Sequence, residues 1–241
     1  KEIEKIIPGI PLDLEFAVQS AGDVVIFQVR PLAANRHKEN YDGEVKRKID
    51  ELKEKFRNLA QKQSHLGGET TFFADMPDWN PAEIIGDHPH HLDYSLYDYL
   101  ITNSAWHEAR TSQGYYNVNP ARLVEVFGNK PYVNVRNTFN SFIPAAISLP
   151  LRKKLISFYL DKLRQNPHLQ DKVEFEVLYT CYDLTFNERS KELLEAGFTE
   201  DEVAKLKQAL LDLTNDLVIN SAESIDTDMK TVFSMDSSRK N

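Results

Sequence analysis

The sequence contains a single cysteine, Cys181, so it can form no internal disulfide and no cysteine-built metal site. One thiol fits a reducing compartment, and the cytoplasm is the expected location. Long hydrophobic runs are also missing. Stretches such as residues 24–27 are a handful of residues, against the roughly 20 that a membrane span requires, and no signal-peptide pattern opens the chain. There is no basic excess: 29 Lys and Arg stand against 37 Asp and Glu, a net charge of −8, which argues against broad neutralisation of nucleic-acid phosphates. Neither a nucleic acid nor a membrane is an expected partner. Glycine numbers nine in 241 residues, with no glycine-rich phosphate loop.

What is present divides into a short β region and a longer, mainly helical one. Leu12-Asp13-Leu14-Glu15-Phe16-Ala17-Val18 alternates with a period of two, as a half-buried strand does. Gly22 can turn the chain back into Val24-Val25-Ile26-Phe27-Gln28-Val29-Arg30, which Pro31 ends. This predicts a β-hairpin. Strand parity puts Gln28 and Arg30 on one face and Phe27 and Val29 on the other, and Asp13 and Glu15 can share the polar face.

From Asp42 the spacing becomes helical, with Val45, Ile49, Leu52, Phe56 and Leu59 on one side and Gly67-Gly68 as the stop. Asn80-Pro81-Ala82-Glu83 is a compact helix start, and a helical stretch follows from Tyr94 to Trp106. Residues 131–136 predict a short strand. Pro150 opens an amphipathic helix through Leu155, Tyr159 and Leu163, and residues 173–179 alternate and predict another strand. A short helix over 188–196 ends at Gly197. Thr199 and Glu202 then form a capping box before a long helix through Val203, Leu206, Leu210, Leu213 and Leu217. Residues 221–241, rich in Ser, Asp and Lys, predict a polar tail or linker. The expected fold is α+β, a mainly helical body with a few short strands behind the hairpin. The expected segments are 1–36 for the hairpin region, 37–220 for the body and 221–241 for the tail.

A carboxylate, an amide and a guanidinium on one rigid face suit a nucleotide triphosphate: the oxygens can hold Mg²⁺ and the guanidinium can offset phosphoryl charge. A solvated surface hairpin is the alternative on spacing alone. Leu14-Glu15-Phe16-Ala17 followed by Phe27-Gln28-Val29-Arg30-Pro31 resembles the end of the ATP-grasp nucleotide-binding domain in the pyruvate phosphate dikinase, phosphoenolpyruvate synthase and rifampin phosphotransferase superfamily.

The resemblance covers about residues 8 to 32. It implies that Glu15 and Gln28 coordinate Mg²⁺ and the ATP phosphates and that Arg30 contacts those phosphates, with Gln28 and Arg30 serving the transfer itself. It gives Asp13 no firm role. Residues 75–86 and 132–144 look like segments that follow the ATP-grasp domain in some phosphoenolpyruvate synthase-like proteins. The family's glycine-rich lid is absent, and none of the seven histidines has the setting of the carrier histidine. Because the sequence begins with lysine, the expectation is an internal piece of a cytoplasmic dikinase-type phosphotransferase, inactive alone. Its partners would be the remaining ATP-grasp and phosphohistidine domains of the same polypeptide and a small-molecule acceptor such as pyruvate. A non-catalytic interaction domain and an acceptor-binding module of a rifampin phosphotransferase-like enzyme are the alternatives.

Within the body, Arg136, Asn137, Asn140 and Ser141 beside Phe139 and Phe142 can line a pocket for an anionic or amphipathic acceptor. They can equally brace a loop through side-chain to backbone hydrogen bonds. The Asp87-His88-Pro89-His90-His91-Leu92-Asp93 stretch is rich in ligand types, yet a solvated loop is the favoured expectation. Trp79, Trp106, Tyr94, Tyr97 and Tyr99 are expected in core and boundary packing, and Cys181 is expected to be buried.

Overall fold

The computed structural model describes residues 2–9, 11–32 and 42–238. The fold is mixed α+β, about 52% helical, with a few short strands in small sheets. It divides into two compact units, Lys1–Glu51 and Leu52–Asn241. The predicted boundary at 36/37 lies outside the described residues.

In the first unit a one-turn helix α1 (Glu2–Ile6) precedes β1 (Leu12–Val18) and β2 (Val24–Pro31), which pair antiparallel. Gln19 and Asp23 close the turn through a 2.8 Å backbone bond, and Gly22 takes φ +89°, a conformation that favours glycine. The register places Asp13 opposite Arg30, Glu15 opposite Gln28, Leu14 opposite Val29 and Phe16 opposite Ile26. A bulge falls where Phe27 has no opposite residue. Simple alternation assigns Phe27 to the face of Val29; it is instead the extra residue of the bulge, which restores the in-out order beyond it.

Helix α2 (Asp42–Leu59) follows. In the second unit β3 (Phe73–Ala74), α3 (Pro81–Ile85), α4 (His91–Tyr97), a π-helical turn (Asp98–Thr102) and α5 (Ala105–Ser112) lead to β4 (Val124–Phe127) and β5 (Lys130–Asn134). The three strands form an antiparallel sheet in the order β3-β5-β4. The predicted 131–136 strand stops at Asn134 because that side chain caps α6 (Val135–Asn140), accepting a bond from Asn137 N. Helix α7 (Leu149–Gln165) begins with proline in its first turn, as the sequence predicts.

The core forms where α6 and α7 meet the C-terminal helices. Phe139, Leu155, Ile156, Tyr159, Val173, Val177, Leu193 and Leu210 are fully buried there. Gly67 and Gly68, expected as a helix stop, lie beyond the end of α2 at Leu59 and serve a close approach instead. A Cβ on Gly67 would stand 2.8 Å from Cβ of Ile156, and one on Gly68 the same distance from Cδ1 of Leu160. Only glycine lets the chain lie this close to α7.

The predicted strand over 173–179 is not formed. Val173–Val177 makes a π-helical turn closed by Leu178 N to Val173 O at 2.8 Å. Val173 and Val177 are buried while Phe175 between them is exposed. Alternating residues satisfy a period of two on paper, but four-residue spacing of the two valines buries them equally well in a helical turn, and the core selects that solution.

After α8 (Phe186–Arg189) and α9 (Lys191–Glu195), the capping box forms as expected: Thr199 N bonds Glu202 Oε2 at 2.8 Å and Glu202 N bonds Thr199 Oγ1 at 3.2 Å. Helix α10 (Glu200–Ser238) continues across the residues whose composition predicts a tail. No glycine or proline follows Gly197 to stop it. No described helix is long and apolar enough to cross a membrane.

Candidate functional site

The hairpin gathers the four polar residues on one face. Arg30 Nε donates to Asp13 Oδ2 at 2.8 Å, and Arg30 Nη2 lies 3.7 Å from Glu15 Oε1, with Gln28 directly across from Glu15. The Arg30 and Glu15 side chains are more than half exposed, at 55% and 56%. The opposite face is apolar, carrying Leu14 and Val29, Phe16 and Ile26, and Val18 and Val24 as facing pairs. This segregation follows from register: each directly opposed pair shares a side of the sheet.

Chemically, the polar face offers two carboxylates, an amide and a guanidinium already oriented by one of those carboxylates. The oxygens of Glu15 and Gln28 are hard donors suited to Mg²⁺, which keeps several waters and takes only one or two protein oxygens when phosphates supply others. The residues therefore fit the metal as partial ligands. They do not form a closed cage, and the described residues hold no group of three or more His, Cys, Asp or Glu side chains placed around an ion.

Arg136, Asn137 and Asn140, expected as candidate pocket residues, are placed in the interior at 0%, 2% and 0% exposure. Arg136 Nη1 donates to Gln61 O at 2.8 Å and Nη2 to Leu59 O at 3.0 Å, which ties the end of α2 to α6. Asn140 accepts from Gly67 N and donates to Gly67 O and Arg136 O, and Asn137 donates to Arg122 O at 2.8 Å. Their polar atoms are committed to backbone and to one another, so the pocket expectation gives way to loop bracing. Burial lowers the Arg136 pKa from its ordinary value, but arginine remains charged and its bonds to carbonyls are charge-assisted.

The three histidines of the 87–93 stretch are exposed, with His88 Nδ1 3.3 Å from Asp87 Oδ2 and Lys130 Nζ 2.9 Å from Asp87 Oδ1. Trp79 and Trp106 stack at 4.5 Å between ring centres, with Tyr97 at 5.7 Å from Trp79. Cys181 is exposed, contrary to the buried position expected from its tyrosine neighbours.

Two further groupings escaped the sequence. The first is a cleft of about 590 Å³ lined by Glu174, Phe175, Glu176, Cys181, Glu188 and Arg189 among others. Its cations are matched inside it, Lys162 by Glu192 at 2.7 Å and Arg189 by Asp183 at 3.5 Å. The second is a buried ion pair, Arg110 Nη2 to Asp78 Oδ2 at 2.5 Å, with Arg110 lying 3.5 Å over the Phe142 ring and bonding Ser141 Oγ at 3.2 Å. Asp78, at φ +88°, has its pKa pushed up to about 7: burial raises it most, the Arg110 charge opposes, and the nearby Glu174 carboxylate adds to the rise. These partners lie 32 residues apart in sequence. The only local signal was the Asp78-Trp79-Asn80-Pro81 turn chemistry. No family model, curated protein or solved structure matches the chain.

Proposed function

We propose that this chain supplies one wall of a nucleotide site in an ATP-dependent phosphotransferase similar to phosphoenolpyruvate synthase. Phosphoryl transfer would run from ATP, through a carrier histidine outside these residues, to pyruvate or a related acceptor. The observation that carries the reading is the hairpin register, which sets Asp13 against Arg30 and Glu15 against Gln28 on one open face. In this reading Arg30, steadied by Asp13, offsets charge on the transferring phosphoryl group. Glu15 and Gln28 take places in the Mg²⁺ shell, and the ion would neutralise the phosphate oxygens when bound.

Phosphoryl transfer from Mg-ATP by the complete gene product is the test, with Glu15→Gln as the variant. The metal role predicts that more Mg²⁺ is needed for half-maximal transfer, because one anionic oxygen is replaced by a neutral amide. An unchanged Mg²⁺ dependence rejects the role. For the present chain alone, calorimetry should detect no micromolar binding of Mg-ATP, since a single hairpin face encloses too little of the ligand; micromolar binding would refute the one-wall reading.

A further inference from the structure

Among the described residues three arginines are buried, Arg110, Arg136 and Arg152, at 7%, 0% and 6% exposure. The first two are accounted for. Arg110 spends its guanidinium on Asp78 and Ser141, and Arg136 on the carbonyls of Gln61 and Leu59. Arg152 differs. Its Nε is buried without a hydrogen-bond partner, and among the described residues no carboxylate or carbonyl accepts from the rest of the fork. Enclosing a cation without a counter-charge is costly, so a buried guanidinium is ordinarily paired.

What holds Arg152 is its face. The guanidinium lies 3.4 Å over the ring centre of Tyr116, whose hydroxyl donates to His65 O at 3.3 Å. Stacking fixes the plane and leaves the edge, where the N–H groups lie, free for an oxyanion. Burial lowers the Arg152 pKa, with Tyr116 opposing and no acid contributing; arginine keeps its charge even so.

The surroundings of the fork add to the positive field. Arg152 stands in the first turn of α7, where its own N–H bonds Ser148 O at 2.9 Å. A helical side chain leans back over the turn that precedes it, which directs the fork towards the helix N-terminus. There Ser148 makes no side-chain cap and the first turn holds no acidic residue. Among the described residues, the N–H groups of Leu149 and Leu151 have no acceptor, and Pro150 between them has no N–H. A cation in the first turn opposes the helix dipole, so a negative group is the missing component. Ser148 and Pro150 are exposed, which opens this turn to solvent.

We propose that Arg152 and the first turn of α7 bind a small oxyanion, a phosphoryl or carboxylate group, on the free edge of the guanidinium. The site does not rest on the hairpin, and it stands or falls apart from the phosphotransferase reading.

NMR titration of the whole chain at constant ionic strength tests it, with inorganic phosphate and acetate as probes. The expected result for at least one probe is a saturable shift, at millimolar concentration, of the Arg152 Nε–Hε signal, the Leu149 and Leu151 amides and the Tyr116 ring. Saturation by phosphate alone assigns a phosphoryl ligand, and by acetate alone a carboxylate. Arg152→Met, which keeps an unbranched stem without the charge, should weaken binding by at least about tenfold. Lys153→Gln, which removes the neighbouring charge, should leave it unchanged. No saturable shift for either probe up to about 50 mM, or binding that survives Arg152→Met or is lost with Lys153→Gln, would overturn the proposal. Because the wild-type titration reads Arg152 itself, it decides the matter should Arg152→Met not fold.

Discussion

In the hairpin, Arg30 reaches from a strand into water, held by Asp13 at 2.8 Å with over half of its side chain exposed, whereas Arg136 in the body is wholly enclosed and spends its guanidinium on the carbonyls of Gln61 and Leu59. Both arginines stand in sequence beside amides and aromatic residues, and both invite an anion-binding reading. The structure separates them by what surrounds the charge. An exposed ion pair contributes little to stability, which leaves Arg30 available for another task. A buried guanidinium that spends its donors on two main-chain carbonyls is part of the scaffold.

The sharpest way to break this contrast is Arg136→Leu, which keeps apolar bulk but strands both carbonyls. It should destabilise the body by about 3 to 5 kcal/mol, read from chemical denaturation. A loss below about 1 kcal/mol would put Arg136 in the same class as Arg30. Next in size is Gly67→Ala, whose Cβ would meet Ile156 at 2.8 Å in the segment that Asn140 braces. A loss of about 1 to 3 kcal/mol is expected. A neutral result would mean that the approach of this segment to α7 is loose.

The buried pair Asp78–Arg110 offers a pH-dependent version of the contrast. The folded-state pKa of Asp78, about 7, lies above its ordinary 3.8, so the folded state holds this proton more tightly than the unfolded chain. Its contribution to stability is complete below the unfolded value and is lost as pH rises through the folded one. Stability of the wild type should therefore fall between about pH 4 and pH 7 by this group, and Asp78→Asn should flatten that slope. An identical slope in the variant would remove Asp78 from the account. The smallest effect belongs to the hairpin: Arg30→Ala should change unfolding free energy by no more than about 1 kcal/mol.

The two regions also differ in how much of them the sequence revealed. The hairpin was legible because period-two alternation is a local signal, and even its polar face could be assigned from parity. Only the bulge at Phe27 was hidden, since it alters pairing without altering composition. Likewise the capping box at Thr199 and Glu202 and the proline-led start of α7 are written in adjacent residues.

The body's failures are tertiary. Val173, Phe175 and Val177 alternate as a strand would, but burial of the two valines without Phe175 selects a helical turn, and that choice depends on a core assembled from distant helices. Arg136 shows the same limit. Its partners at 59 and 61 lie 77 and 75 residues away, so neither its enclosure nor its acceptors could be read from the residues around it. The Asp78–Arg110 pair needed folded proximity to exist at all.

The central contrast sets the proposed catalytic role of the hairpin's polar face against the structural role of the body's buried arginine. It is tested most directly by following Arg30→Ala in the complete gene product with phosphoryl transfer from Mg-ATP and chemical denaturation side by side. The account predicts transfer reduced by about 10²- to 10³-fold, the scale of a lost preorganised electrostatic contact, at an unfolding free energy indistinguishable from wild type. Undiminished transfer, or a loss of transfer matched by a loss of fold, would contradict it.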